Sequence, residues 1–117
     1  PLFNELKSIV LKTVGAAGLL KEILSKFEGI EVAFIYGSLA RAEERPESDI
    51  DLLIVGRIDE DALVTEIKKA EDLLKREINY VIFSRSEFEK KRKEGDSFIK
   101  ELLNSPKVFL IGSSNEL

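Results

Sequence analysis

The spacing of apolar residues divides the chain into helical and strand-like stretches. Apolar residues recur every three or four positions from Leu2 to Phe27, which predicts two helices with a break or bend at Gly15 and Gly18. Glu28 is expected to begin the turn that ends the second helix. Shorter apolar runs, bounded by turn-forming residues, predict four strands. These strands are Ile30–Tyr36, Asp49–Val55, Ile78–Phe83 and Lys107–Ile111.

Polar residues after the second and third strands mark the starts of further helices. Asp59 begins an acidic run that favours the positive end of a helix dipole. Ser84 and Glu87 have the spacing of a capping box. Asp96 is placed to cap a short helix that ends before Pro106. The helix after Asp59 is expected to bury Leu63, Ile67, Ala70, Leu73 and Leu74, and the short helix carries Phe98, Ile99, Leu102 and Leu103.

The order of these elements predicts the fold class. The sequence α-α-β-β-α-β-α-α-β favours an α/β or α+β fold with one small mixed sheet backed by helices. Residues 37–48, between the first two strands, are numerous enough for parallel or antiparallel pairing. The 117 residues are the size of one domain. Within it we expect residues 1–29 to form a helical extension and residues 30–117 to form the core.

The composition excludes several kinds of chemistry. Cysteine and histidine are both absent, so disulfides, thiolate or imidazole metal sites, cysteine nucleophiles and histidine-dependent triads are excluded. The 18 basic and 22 acidic residues give a net charge of -4, which disfavours nucleic-acid binding by this domain alone. The apolar runs are too short to span a membrane, and the N-terminal residues do not resemble a signal peptide. We therefore expect no membrane association and a cytoplasmic location.

The candidate chemistry includes two acids, Asp49 and Asp51, at the start of the second strand. Side chains alternate between the faces of a strand, so both carboxylates are expected on one face, with Cα atoms roughly 6–7 Å apart. Two like charges this close are unfavourable unless a cation neutralises them, and carboxylates without histidine or cysteine favour Mg²⁺ or Mn²⁺. The alternative is a solvent-facing pair of acids at a strand end. The apolar run Leu52–Val55 that follows favours the metal site.

Gly37 and Ser38 directly follow the first strand and form a second candidate feature. Glycine permits a sharp exit from the strand, and backbone N–H groups at the start of a short helix predicted over Leu39–Ala42 can bind phosphate oxygens. Arg41 lies about one helical turn beyond Ser38 and can bind a phosphate or pair with an acid. An ordinary strand-to-helix turn and a surface arginine are the alternatives. A polar loop, Glu43–Ser48, is expected to lead to the second strand.

The order Gly37-Ser38, ten further residues, then Asp49-Ile50-Asp51 resembles the signature of the polymerase-β-like nucleotidyltransferase superfamily, in particular its minimal type. The resemblance implies Mg²⁺-dependent transfer of a nucleoside monophosphate, AMP from ATP, to a hydroxyl of a protein or small molecule. It implies that Asp49 and Asp51 bind the metal while Gly37 and Ser38 hold the triphosphate. Some relatives are antitoxins that adenylylate a HEPN toxin, so an NTP and a HEPN-type toxin or another protein acceptor are the implied partners. A homo-oligomer is a further candidate assembly.

Two positions depart from the pattern of that superfamily. Relatives place a third carboxylate on the next strand, where this chain has Asn79. An amide can coordinate a metal, but it cannot act as a base. Glu77 has the same strand parity and is the candidate to replace the missing carboxylate; the alternative is an ordinary acid at a strand edge. Ala42 also stands where relatives often have glycine.

These departures leave two other hypotheses open. One is a catalytically weak or inactive nucleotide-binding or regulatory module, either antitoxin-like or a companion of a DNA-binding domain. The other is a structural α/β domain with an exposed acidic loop. Two remaining features are assigned less specific roles. The charge run Glu89–Glu94 is a solvated helix face or a docking surface for phosphate or RNA, and Tyr36 and Tyr80 belong to the core or its rim.

Overall fold

The structure is a computed structural model that describes residues 15–37 and 49–117 of the chain. The strands in these ranges are β1 (Ile30–Tyr36), β2 (Ile50–Gly56), β3 (Ile78–Phe83) and β4 (Val108–Ile111). The helices are α1 (residues 15–24), α2 (Glu60–Leu74), α3 (Arg85–Lys93) and α4 (Ser97–Leu103), and a 3₁₀ turn, Ser114–Glu116, follows β4. None of the helices in the described ranges has the length and apolar character needed to cross a membrane.

The strands form one mixed sheet in the order β3-β2-β1-β4. β1 pairs antiparallel with both β2 and β4, and β2 pairs parallel with β3. β1 and β2 therefore lie at the centre, which explains their nearly continuous apolar sequences, because both faces of a central strand are covered. The predicted fold class, a small mixed sheet backed by helices, is confirmed.

Helices cover both faces of the sheet, and each face has its own apolar core. α1 and α2 pack on one face, while α3 and α4 pack on the other. The alternation of side chains along each strand divides its residues between the two cores. The first core includes Leu20, Leu24, Ile35, Ile50, Leu52 and Leu63. The second consists of Val32, Phe34, Leu53, Val55, Phe83, Phe88, Ile99 and Leu102.

The predicted caps begin three of the helices. Asp59 accepts hydrogen bonds from two backbone N–H groups in the first turn of α2, at 3.0 and 3.3 Å. Ser84 and Glu87 form a reciprocal capping box at the start of α3. Asp96 accepts a hydrogen bond from a backbone N–H of α4 at 3.2 Å. Each cap satisfies backbone donors that a helix leaves unpaired at its first turn.

α1 differs from the predicted pair of helices. α1 continues without interruption through Gly18, so the predicted break at Gly18 was wrong. Gly15 is the first described residue of α1, and residues before 15 lie outside the described part of the chain. A glycine in a helix costs about 1 kcal/mol relative to alanine. Burial of Leu20 and Leu24 in the first core outweighs that cost. α1 also ends at residue 24, before the predicted end at Glu28.

α2 buries a narrower stripe than the sequence predicted. Leu73 is 72% exposed, so its prediction as a buried residue was wrong. Ile67 and Ala70 are buried and Leu74 packs against them in part. Successive residues in a helix point about 100° apart, so Leu73 lies about 120° around the helix axis from Ile67, beyond the buried side.

Replacing Ser84 by alanine is expected to lower the free energy of unfolding by about 1 kcal/mol, the usual cost of losing an N-cap. The Ser84 hydroxyl accepts a hydrogen bond from the backbone N–H of Glu87 at 3.2 Å, and alanine cannot. Urea denaturation measures the change. Ser97→Ala is the matched control because Asp96, not Ser97, caps α4, and it should change the free energy by less than about 0.5 kcal/mol. Equal losses in the two variants would show that the cap does not stabilise α3.

Candidate functional site

Asp49 and Asp51 lie at the start of β2. Asp49 immediately precedes the strand and Asp51 is its second residue, so β2 begins one residue later than predicted. Ile50 and Leu52 are fully buried in the first core, and the alternation of side chains therefore directs Asp51 to the opposite face. The backbone N–H of Ile50 donates to the carbonyl oxygen of Glu77 at 2.8 Å, which holds this end of β2 against β3.

Asn79 on β3 lies beside both acids. In the parallel register of β2 and β3, Asn79 pairs with Asp51. Its side-chain amide donates a hydrogen bond to Asp49 Oδ2 at 3.3 Å. Asp49, Asp51 and Asn79 therefore meet on the sheet face that α3 and α4 cover.

The end of β1 contacts the same group. Tyr36 pairs with Asp51 in the antiparallel register of β1 and β2. Gly37, the next residue, has a φ of +79°, in the left-handed region that other residues rarely adopt. A Cβ atom on Gly37 would lie 2.5 Å from Asp51 Oδ2. The backbone conformation therefore favours glycine, and any side chain at this position would displace the Asp51 carboxylate.

The two carboxylates have no lysine or arginine partner within residues 15–37 and 49–117. Asp49 is exposed and Asp51 is half-buried. Burial first, and the negative charge of Asp51 second, raise the pKa of the Tyr36 phenol above its ordinary value of 10.0. Tyr36 is therefore uncharged at neutral pH. Among the described residues of this group the two carboxylates carry the charge, and a negative group attracts a cation.

This set of side chains fits a hard divalent cation. Carboxylate oxygens of Asp49 and Asp51 and the amide oxygen of Asn79 are the ligand types that Mg²⁺ and Mn²⁺ prefer. The described residues contain no cluster of three or more histidine, cysteine or acidic side chains placed to hold a metal. A cation here would therefore need ligands from a substrate or water, and Mg²⁺ commonly binds one or two carboxylates together with substrate phosphates.

A comparison with protein families assigns the chain to a family. Residues 19–109 match the family described as "Polymerase beta, Nucleotidyltransferase". The chain belongs to this nucleotidyltransferase family. The matched range contains β1, β2 and β3 and thus both acids and Asn79, and the resemblance stated from the sequence is confirmed. A comparison with curated proteins gives no match.

Solved structures with a similar fold include toxin–antitoxin complexes. The match to a toxin–antitoxin complex with AMP-PNP has a TM-score of 0.60 and 14% identity, and covers 86% of this chain and 76% of that one. The match to a tri-AMPylated Shewanella oneidensis HEPN toxin in complex with MNT antitoxin has a TM-score of 0.57 and 12% identity, and covers 89% of this chain and 76% of that one. The match to an MntA–HepT toxin–antitoxin complex has a TM-score of 0.53 and 12% identity, and covers 86% of this chain and 74% of that one. At such low sequence identities these matches show that the folds are alike, and they show no more than that.

Of the other predicted site residues of the nucleotidyltransferase, the structure describes Glu77 but not Ser38 or Arg41. Glu77 immediately precedes β3, is exposed, and makes no side-chain hydrogen bond or ion pair with a described residue. Ser38 and Arg41, predicted to bind nucleotide, lie outside the described residues. The predicted helix Leu39–Ala42 and the predicted loop Glu43–Ser48 also lie outside them.

The sequence did not predict a pocket that opens beside these residues. Its volume is about 170 Å³, and it is lined by Tyr36, Gly37, Phe98, Glu101, Leu102 and Ser105. In the sequence, Phe98 and Leu102 belong to the apolar positions of a short helix, which give no sign of contact with Tyr36. That contact joins residues far apart in the chain, so periodicity cannot reveal it.

Gly37→Ala is expected to lower the free energy of unfolding by about 2–3 kcal/mol. Part of the loss is the strain of a left-handed backbone, about 1–2 kcal/mol. The rest arises because the new Cβ atom would press on the Asp51 carboxylate, 2.5 Å away. Chemical denaturation measures the loss.

Gly95→Ala is the matched control for Gly37→Ala. Gly95 has a φ of +70°, but a Cβ atom there would meet nothing within 4 Å, so only the backbone strain is tested. In an Asp51→Ala background the excess cost of Gly37→Ala over Gly95→Ala should disappear, because the crowding atoms Oδ2 and Cγ are gone. An excess that persists in this background would contradict the contact.

The phenol of Tyr36 is expected to titrate above pH 10.0, and Asp51→Asn should lower its pKa without restoring the ordinary value, because burial is the larger cause. Tyr80→Phe leaves a single tyrosine, so the absorbance of the tyrosinate reports Tyr36 alone. Since the folded state holds this proton more tightly than the unfolded chain, the stability that Tyr36 contributes is present below pH 10.0 and is lost as pH rises through the folded pKa. Asp72→Asn on α2 is the control and should leave the pKa unchanged. If the pKa of Tyr36 does not change in Asp51→Asn, the charge of Asp51 does not act on the phenol.

Proposed function

We propose that this chain transfers a nucleoside monophosphate, AMP from ATP, to a hydroxyl group, with Mg²⁺ or Mn²⁺ bound by Asp49 and Asp51. The observation that supports this most strongly is the meeting of the two acids with Gly37 and Asn79 at one end of the sheet. Solvent-facing acids at an ordinary strand end would not lie so close to a glycine that an added Cβ atom would be 2.5 Å from a carboxylate oxygen. Family membership supports the same reaction class.

Each residue has a separate proposed role. Asp49 and Asp51 bind the metal, and the Asn79 amide orients Asp49 through its hydrogen bond of 3.3 Å. Gly37 keeps the space beside Asp51 free of a side chain. The sequence pattern assigns triphosphate binding to Gly37 with Ser38 and Arg41, because backbone N–H groups and a guanidinium suit phosphate oxygens.

The proposed reaction is an in-line displacement at the α-phosphorus of the nucleotide. The acceptor oxygen forms a bond to this phosphorus, the bond to the oxygen bridging the α- and β-phosphorus breaks, and pyrophosphate leaves. When bound, Mg²⁺ supplies neutralisation of the triphosphate charge. The hydroxyl proton needs an acceptor, and the amide of Asn79 cannot be one. Glu77 is the proposed acceptor, because it is an exposed carboxylate directly before the strand that carries Asn79.

A HEPN-type toxin is the proposed protein acceptor. Support comes from the similar structures, which are toxin–antitoxin complexes, one of them with a tri-AMPylated HEPN toxin. The net charge of -4 also suits a protein or small-molecule acceptor better than a nucleic acid.

Asn79 favours a second candidate function, in which the chain binds nucleotide without transferring it. The amide donates to Asp49, so it links β3 to one of the two proposed metal-binding acids. It removes a charge and a possible proton acceptor from the place where relatives carry a carboxylate. Such a module would act by binding or regulation, as a partner of a toxin or of a DNA-binding domain.

Asp49→Asn and Asp51→Asn are each expected to lower label transfer from α-labelled ATP to a purified HEPN-type toxin by about a hundredfold or more, because each removes a charged ligand from the centre of the reaction. Circular dichroism checks that both variants fold. Asp72→Asn, an exposed acid on α2, is the control and should transfer at the rate of the unmodified chain. Undiminished transfer by both site variants would refute the metal assignment.

Asn79→Asp in the same assay separates the two candidate functions. Transfer by the unmodified chain supports the enzyme, and Glu77→Gln should then lower transfer while Mg²⁺-dependent ATP binding, measured by calorimetry, stays unchanged. ATP binding without transfer, together with transfer gained in Asn79→Asp, supports the binding module. Loss of ATP binding in Glu77→Gln would contradict its role as a proton acceptor.

A further inference from the structure

The pocket between the end of β1 and α4 has a defined aromatic wall. The rings of Tyr36 and Phe98 are 6.1 Å apart at an interplanar angle of 73°. Phe98 is 41% exposed, whereas Ile99 and Leu102 on the same helix are 1% and 3% exposed. Phe98 is thus the apolar residue of α4 that turns away from the core, and part of its ring remains free for contact with a flat ligand.

The pocket is continuous with the site of the two acids. Tyr36 and Gly37 line the pocket, and the same two residues lie against Asp51. A molecule with its phosphates at Asp51 can therefore extend past Gly37 into the pocket. The pocket volume of about 170 Å³ is below the roughly 300–1,000 Å³ of sites that enclose a drug-sized ligand. The pocket therefore suits one ring system and not a whole nucleotide.

The chemistry of the lining selects the uncharged end of a nucleotide. The pocket is lined by no lysine or arginine in the described part of the chain, and Glu101 adds a negative charge. Phosphate groups would be repelled there. Apolar and aromatic walls with a few polar groups are typical of sites for flat, uncharged rings.

Hydrogen bonds fix the far side of the pocket. Ser105 donates from its hydroxyl to the carbonyl oxygen of Leu102 at 2.9 Å. The Lys107 ammonium donates to the carbonyl oxygens of Leu103 and Ser105, both at 2.9 Å. These three hydrogen bonds stabilise the end of α4, which forms the far side of the pocket.

We propose that this pocket binds the nucleobase of the nucleotide and that Phe98 is the residue that stacks against it. The proposal rests on the proposed function, since it assumes a nucleotide whose phosphates lie at the two acids. It adds that part of the affinity for ATP comes from the base, through a residue in α4 that lies outside the sequence signature. Exposed aromatic rings are suited to this role because every base has a flat apolar face.

The test compares the affinity for ATP with that for inorganic tripolyphosphate, which has the phosphates but no base, by calorimetry in the presence of Mg²⁺. Phe98→Ala should weaken ATP binding about tenfold, within the range measured for loss of base stacking, and leave tripolyphosphate binding unchanged. Phe98→Trp should keep ATP binding within about threefold of the unmodified chain, because it retains a flat ring. Leu73→Ala removes an exposed apolar side chain from α2, on the opposite side of the sheet, and is the matched control.

The outcomes separate this proposal from the proposed function. If tripolyphosphate binds as tightly as ATP to the unmodified chain, or if Phe98→Ala weakens both ligands equally, the pocket does not bind the base. If the unmodified chain binds neither ligand, the proposed function and the pocket assignment both fail. Thermal unfolding checks that Phe98→Ala folds, and Phe98→Trp tests the stacking role if the alanine variant is unstable.

Discussion

The antiparallel pairing of β1 with β2 brings the last residues of one strand against the first residues of the other. The pairing of Tyr36 with Asp51 puts Gly37 directly against the Asp51 carboxylate. At the opposite end, the backbone N–H of Arg57 donates to the carbonyl oxygen of Gly29 at 3.0 Å, so the pair is held at both ends. A slip of one residue in this register would turn every side chain of one strand to the other face. The two apolar cores oppose such a slip, and they thereby hold the site in place.

The same alternation that builds two cores also explains why acids can begin a buried strand. Ile50 and Leu52 enter the core with α1 and α2, and Leu53 enters the core with α3 and α4. Asp51 shares the face of Leu53 but lies at the strand end, where the second core gives way to the pocket of Tyr36 and Phe98. The parallel strand β3 then adds Asn79 in the row of Asp51. The chemistry of the site therefore depends on the edge of the second core and not on a separate element.

Local signals in the sequence predicted the features that depend on local chemistry. Alternation predicted that Asp49 and Asp51 share a face, and the caps at Asp59 and Ser84 lie where their hydrogen-bonding geometry requires. The errors are of a different kind, because they depend on packing between distant parts of the chain. Gly18 stays helical because α1 is buried on the sheet. Phe98 reaches Tyr36 because α4 lies beside the end of β1, and no spacing of residues in α4 encodes that contact.

Asn79 alters the charge of the site more than its shape. A carboxylate here would place a third negative charge beside Asp49 and Asp51, and three like charges on one face repel one another unless a cation is bound. The amide instead donates to Asp49, so it gives one of the two acids a hydrogen-bond partner and adds no negative charge. The same amide cannot accept a proton, and on the proposed mechanism that task falls to Glu77, which has no hydrogen bond to this group in the described residues. Binding and proton removal are thereby assigned to different side chains, so a change at one need not alter the other. On the proposed function, a chain with this arrangement can bind a nucleotide whether or not its rate of transfer is high.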